Sequence, residues 1–234
     1  MFTLDMTDSK NNRIQLYTSV THRTFNEYLE YPEFEENYDF SPIRHGIKLV
    51  ASLDMILDET KEQDIEEKLK AEYYLDDESN ELVIAKISIT EFPAEWKENM
   101  EDSWFMWLDT LDGDHCVIGS RADEIEEQDL YDDPFSFGSL FYIERIDVHP
   151  KFRGQHTGIN LIQYTFKHLI RNANGMVFLI AKPMQSTLSK KKETFKSQAR
   201  LAKYYEKCGF KRVSKKKADC ILMETNLQDL VEYN

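Results

Sequence analysis

The chain has 234 residues, 41% hydrophobic and 12% aromatic, with a formal net charge of −14 at pH 7. That composition can bury a sizeable core and excludes wholesale disorder; no run approaches the roughly 20 apolar residues that span a bilayer as a helix. The three cysteines, Cys116, Cys208 and Cys220, show no CxxC spacing and the polar start, Met1 to Arg13, has no apolar leader core, so the pattern argues for reduced thiols in a cytoplasmic protein without zinc, disulfide frame or membrane.

The charge is divided unevenly. Residues 1–139 carry 11 Lys+Arg against 35 Asp+Glu, and residues 140–234 carry 18 against 8. Such halves suit a cationic and a polyanionic partner, and equally two solvated faces.

In chain order, residues 1–45 mix aromatics and acids around Pro32 and Pro42, and read as an extension with a short helix or two. Ile47, Leu49, Ala51, Leu53, Met55 and Leu57 alternate with other residues, the period of a strand. Leu69–Leu75 and Leu82–Ile89 read as a hairpin around the polar turn 76–80. Trp96, Met100, Trp104, Trp107 and Leu111 recur at helical spacing, so a helical insertion is expected over about 92–139, broken at Gly113. The acidic run 124–133 reads as a solvated face.

The signals sharpen from Leu140. Leu140–Val148 is an apolar strand, 153–158 a glycine-bearing loop, and 159–171 an amphipathic helix closed by Asn174-Gly175. Met176–Ala181 reads as a second buried strand, 196–208 as a helix stopped by Gly209, and 210–213 with 220–225 as a strand pair around Lys215-Lys216-Lys217. That lysine run, like Lys190–Lys192, reads as solvated loop, so nucleic acid is not an expected partner. Nothing in the pattern specifies an oligomer.

The block Tyr142-Ile-Glu144-Arg-Ile146-Asp147-Val148-His149-Pro-Lys-Phe-Arg153-Gly154-Gln155-His156-Thr157-Gly158 is strand, tight loop and helix start. A helix start offers unpaired N–H groups and a partial positive charge to an anion, and glycine permits close approach. Neither the dinucleotide fingerprint GxGxxG nor the Walker pattern is present. Downstream, Tyr204-Tyr205-Glu206-Lys207-Cys208-Gly209-Phe210 ends a helix just before the last strands.

Val-x-Pro-x-x-Arg-Gly-x-x-x-Gly followed by Tyr-Glu-Lys-x-Gly-Phe resembles the GNAT N-acetyltransferase superfamily over roughly residues 139–227. The resemblance implies an α/β fold, a mixed and mostly antiparallel central sheet flanked by helices, occupying residues 46–234 behind an acidic extension, 1–45. It implies acetyl-CoA as acyl donor without a metal, and an amine acceptor. By position, the backbone of Ile146 and Val148 would pair with the pantetheine arm. The loop Arg153, Gly154, Gln155, His156, Thr157 and Gly158 would wrap the pyrophosphate, and Tyr205 would lie near the CoA sulfur. The sequence departs from the family pattern at His156, in place of a loop glycine, and at Gln198, in place of an asparagine seven residues before the tyrosine.

Two carboxylates could serve as base. Glu144 shares a strand face with Tyr142 and Ile146, an odd place for a charge unless it lines a cleft or makes an ion pair; Asp147 is the second candidate. Tyr205 could protonate the departing thiolate or simply pack beneath Phe210. Two rivals to the enzyme stand beside it. One is a degenerate domain that holds acyl-CoA or a partner without turnover, which His156 would favour. The other is an acidic interaction module built from residues 1–139.

Overall fold

The structure is a computed structural model. It describes residues 3–7, 13–25, 42–52, 81–100, 102–136, 138–170, 174–182, 191–213 and 221–232. The strand expected at 69–75, the turn 76–80 and the Lys215–Lys217 turn lie outside the described residues. None of the described helices is long and apolar enough to cross a membrane.

Nine strands are described. β1 (Thr3–Thr7) and β2 (Arg13–Tyr17) form an antiparallel pair. The rest build one seven-stranded sheet in the order β3-β4-β5-β6-β7-β9-β8. These are β3 (Ser19–Phe25), β4 (Ile43–Ser52), β5 (Glu81–Pro93), β6 (Ser139–Val148), β7 (Gly175–Ile180), β8 (Lys211–Arg212) and β9 (Leu222–Asn226). β6 pairs parallel with β7, and β9 pairs antiparallel with both β7 and β8. A mixed sheet flanked by helices is the fold class expected from sequence.

The chain divides into two compact units. One comprises Met1–Arg23, His45–Ser88 and Arg145–Ile162; the other comprises Thr24–Arg44, Ile89–Glu144 and Gln163–Asn234. β5 and β6 each run through both.

The first unit corrects the reading of the N-terminus. Short helices were expected before residue 45, yet strands form there. The register sets Leu4 opposite Leu16, and both are buried; a shared apolar face decides the pairing. β1 packs against a 3-10 turn, Pro150–Phe152, that follows β6. His149 accepts the N–H of Lys151 at Nδ1 (3.3 Å) and donates its own N–H to Ile84 O (2.8 Å). Phe152 is fully buried.

In the second unit three helices stand where one interrupted helix was expected: α1 (Ala94–Met100), α2 (Trp104–Asp109) and α3 (Gly113–Glu127). Side-chain caps explain the divisions. Ser103 accepts the N–H of Met106, and Asp112 accepts those of Asp114 and His115. Gly113 therefore opens a helix rather than breaking one. Trp104, Leu108, Ile118 and Ala122 pack with Leu140 and Phe178 of the sheet.

α4 (Thr157–Tyr164) continues as a π-helical turn, Thr165–Leu169. It ends sooner than the Asn174-Gly175 signal suggested. Gly175 is instead the first residue of β7, with φ +146°, and a Cβ on it would lie 2.3 Å from Ser139 O. The glycine serves strand-to-strand approach, not a helix cap. α5 (Lys191–Tyr205) runs into a 3-10 turn, Glu206–Cys208, closed as expected by Gly209 at φ +95°. α6 (Leu227–Glu232) follows β9.

Candidate active site

β6 changes character halfway along. Ser139 to Ile143 are all buried, and their parallel register with β7 runs from Ser139↔Gly175 to Ile143↔Leu179. Five residues of β6 continue past that register. Glu144 and Arg145 are exposed, and Ile146 to Val148 are half-buried. Because His149 turns its N–H toward β5, strand alternation turns the main-chain groups of Ile146 and Val148 to the opposite edge. No described strand pairs with that edge beyond Ile143, so an extended polar chain could add to it. Arg153 Nε donates to Val148 O (3.0 Å), which occupies one acceptor there.

The loop after the 3-10 turn is built by two left-handed residues. Gly154 has φ +87°, with open space where a Cβ would stand. His156 has φ +58° and its side chain is exposed. Histidine tolerates this region better than most residues, and the imidazole does not fill the turn. Asn160 N–H donates to His156 O (3.0 Å), the first bond of α4, so the N–H groups of Thr157 and Gly158 precede it. The Thr157 hydroxyl is committed to Phe152 O (3.0 Å). Arg153 is exposed, and beyond Val148 its guanidinium has no partner among the described residues. Burial, then the Arg153 charge, holds the His149 imidazole below its ordinary pKa, in keeping with a ring nitrogen that accepts a backbone hydrogen bond.

The two candidate bases are distinguished by their faces. Asp147 lies with Arg145, whose Nε stands 2.5 Å from its carboxylate, an ion contact without hydrogen-bond alignment. Glu144 is turned the other way and accepts the hydroxyl of Thr90, a buried residue of β5. Neither Arg145 nor a lysine is its partner among the described residues.

Tyr142, two residues back on the Glu144 face, is surrounded by groups that the sequence did not single out. Its hydroxyl points to Asp114 Oδ2 (3.4 Å), and its ring meets the His115 ring edge-on at 5.0 Å. Lys182 Nζ sits 2.6 Å from both Asp114 oxygens. Burial first, then the charges of Asp114 and Glu144, raises the Tyr142 pKa well above its ordinary value. The signal that could have found these groups is Asp112-Gly-Asp114-His115, an aspartate cap followed by a helix start.

On α5, Gln198 and Tyr205 are two turns apart on one face. Gln198 is buried and Tyr205 half-buried. The Tyr205 ring lies 5.4 Å from Tyr204 and 6.3 Å from Phe210, both edgewise. The packing contact weighed from sequence is thus present, and burial pushes the phenol far above its ordinary pKa, so it stays protonated.

Residues 112–212 match the family model described as an acetyltransferase (GNAT) domain. No curated protein matches the chain. Among solved structures, Arabidopsis thaliana NAA60 in complex with acetyl-CoA superposes with a TM-score of 0.42 at 13% identity, over 90% of this chain and 99% of that one. An apo agmatine N-acetyltransferase mutant superposes with a TM-score of 0.38 at 11% identity, over 89% of this chain and 100% of its own.

Proposed function

Since this chain carries a GNAT acetyltransferase domain over residues 112–212, we propose that it is an acetyl-CoA-dependent N-acetyltransferase acting on a cationic primary amine, of a small molecule or a protein. The observation that carries the reading is the loop 153–156. Its two left-handed residues leave the start of α4 uncrowded, as binding of a diphosphate requires.

In this reading the Thr157 and Gly158 N–H groups and the Arg153 guanidinium hold the pyrophosphate. Each charge-assisted bond is worth about 1.5–3 kcal/mol where water is excluded, and the exposed Arg153 contributes less. Ile146 and Val148 receive the pantetheine arm on the open edge of β6, the Val148 carbonyl once Arg153 has turned to phosphate. Gln198 supports the cofactor from α5.

An acceptor ammonium with a pKa of about 10.4 is neutral at pH 7 only at a cost of roughly 4.6 kcal/mol. Glu144 meets that ammonium and draws off its proton, directly or through water. The freed nitrogen attacks the thioester carbon, the C–N bond forms, the C–S bond breaks, and Tyr205 supplies a proton to the departing thiolate and regains one, through water, from the second N–H that the nitrogen loses. The acidic residues near Tyr142 support a cationic acceptor.

Thermal shifts with acetyl-CoA, CoA and ATP in parallel, followed by thiol release with spermidine, glucosamine and a peptide bearing a free N-terminus and lysine, test the proposal. A shift with both CoA compounds and not ATP, with thiol release on one amine, is expected. Acetyl-CoA binding without release on any amine would make this a binding domain. Indifference to acetyl-CoA would remove the reading altogether.

A further inference from the structure

The proton taken from the acceptor needs a destination, and the second unit contains one that the motif does not supply. His115 lies in the first turn of α3, 8% exposed, with Nδ1 2.9 Å from Asp112 Oδ1. The approach is off the ideal hydrogen-bond direction, yet close enough for the carboxylate to favour the proton on that nitrogen. The same oxygen accepts the N–H groups of Asp114 (2.8 Å) and His115 (3.0 Å), so the carboxylate is fixed by its role as helix cap. Burial opposes the Asp112 charge, but the bonds from His115 and Asp114 outweigh it and keep the carboxyl below its ordinary pKa. A carboxylate 2.9 Å from Nδ1 favours the tautomer with its proton there, which leaves Nε2 as the acceptor nitrogen that a base needs. No hydrogen bond to Nε2 is found among the described residues. The ring is gripped edgewise by Phe92 at 5.9 Å and Tyr142 at 5.0 Å, and Tyr142 shares its strand face with Glu144.

We propose that His115, oriented by Asp112, accepts the proton of the acceptor amine, passed on from Glu144 or through water. The inference rests on the acetyltransferase reading and names the residue that makes its chemistry work near neutrality. A carboxylate holds a proton about two pKa units less tightly than an imidazole does, so a relay ending on carboxylate alone runs further uphill. The step balances. The ammonium gives one proton to neutral Nε2 and the nitrogen lone pair forms the C–N bond. The C–S bond breaks with its electron pair on sulfur, Tyr205 protonates the sulfur and regains a proton through water from the second N–H lost by the nitrogen, and the imidazolium returns its proton to water. The ring meets Asp112 from α3 and Tyr142 from β6; Asp114 and Glu144 act on Tyr142, and Lys182, from the segment after β7, pairs with Asp114.

The experiment uses the full chain, acetyl-CoA and whichever of spermidine, glucosamine or the peptide turns over. His115→Gln keeps an amide able to reach Asp112 but cannot take a proton. It should lower kcat about a hundredfold or more, change the shape of the kcat–pH profile, and leave the acetyl-CoA thermal shift in place. His115→Ala should recover turnover on addition of free imidazole, which a purely packing histidine would not. Should His115→Gln fold poorly, Asp112→Asn probes the same pair from the other side, and kcat should fall with the acetyl-CoA shift retained. Wild-type turnover with a His115→Gln profile within twofold of it, and no imidazole response, overturns the dyad and spares the enzyme. Acetyl-CoA binding with no wild-type turnover overturns both.

Discussion

The two halves of β6 are five residues each and differ in nearly everything. Ser139–Ile143 is buried on both faces and laddered to β7; Glu144–Val148 is exposed to half-buried, and its edge beyond Ile143 has no described partner strand. The first half is what a strand becomes when the fold uses every hydrogen-bonding group. The second keeps groups unspent, and the candidate chemistry begins at its first residue. The sequence marks the division too, since Leu140–Ile143 is unbroken apolar and Glu144, Arg145 and Asp147 charge the second half.

Substitutions can break this contrast, and the largest effect belongs to the open half. Glu144→Gln should lower turnover by about 10²–10⁴-fold, with the thermal midpoint and acetyl-CoA shift retained, since an exposed carboxylate holds little of the fold together. Turnover within threefold of wild type would remove Glu144 from the chemistry. Tyr205→Phe should come next, a fall of about tenfold or more in kcat with little change in acetyl-CoA binding. Because the phenol is held far above its ordinary pKa, it stays a proton donor through mildly alkaline pH, so no alkaline loss of kcat below about pH 10 should trace to Tyr205. An alkaline limb that disappears in Tyr205→Phe would refute that.

The laddered half is sharpened by Gly175→Ala. Its Cβ would meet Ser139 O at 2.3 Å, at a φ that alanine rarely adopts. About 3 kcal/mol should be lost, read as a drop of roughly 6–12 °C in thermal midpoint. The smallest effect has the opposite sign. His156→Gly relieves a left-handed residue and should stabilise the chain by about 1 kcal/mol, with acetyl-CoA binding equal or tighter. Weaker binding would mean that the imidazole itself contacts the ligand.

Legibility in the sequence followed locality. The strand, loop and helix around Arg153–Gly158 could be read because glycine and helix-start chemistry are local. Gly175 was misread because its reason lies in a neighbouring strand, 36 residues earlier in the chain at Ser139. The N-terminal hairpin was missed because Leu4 and Leu16 are ordinary until paired. Gly113 drew attention as a breaker, and the cap beside it passed unseen. Asp112 and His115 acquire meaning only next to Tyr142, a neighbour that no spacing rule supplies. Even the acidic run 124–133, read as solvated, is partly tied inward. Tyr131 donates to Glu224, 2.8 Å away on β9.

That last contact belongs to a lock. Glu224, 2% exposed, also takes both Arg121 Nε (2.8 Å) and a terminal guanidinium nitrogen (2.7 Å). Its neighbours Met223 and Thr225 are fully buried too, so apolar burial alone would tolerate β9 sliding by one residue against β7. A slipped strand would part the buried Glu224 carboxylate from Arg121 and Tyr131, leaving Arg121, among the described residues, with only Glu124, 2.8 Å away on its own helix. Arg121, placed by a helix more than a hundred residues upstream, thus acts as a proofreader of how the last strand joins the sheet.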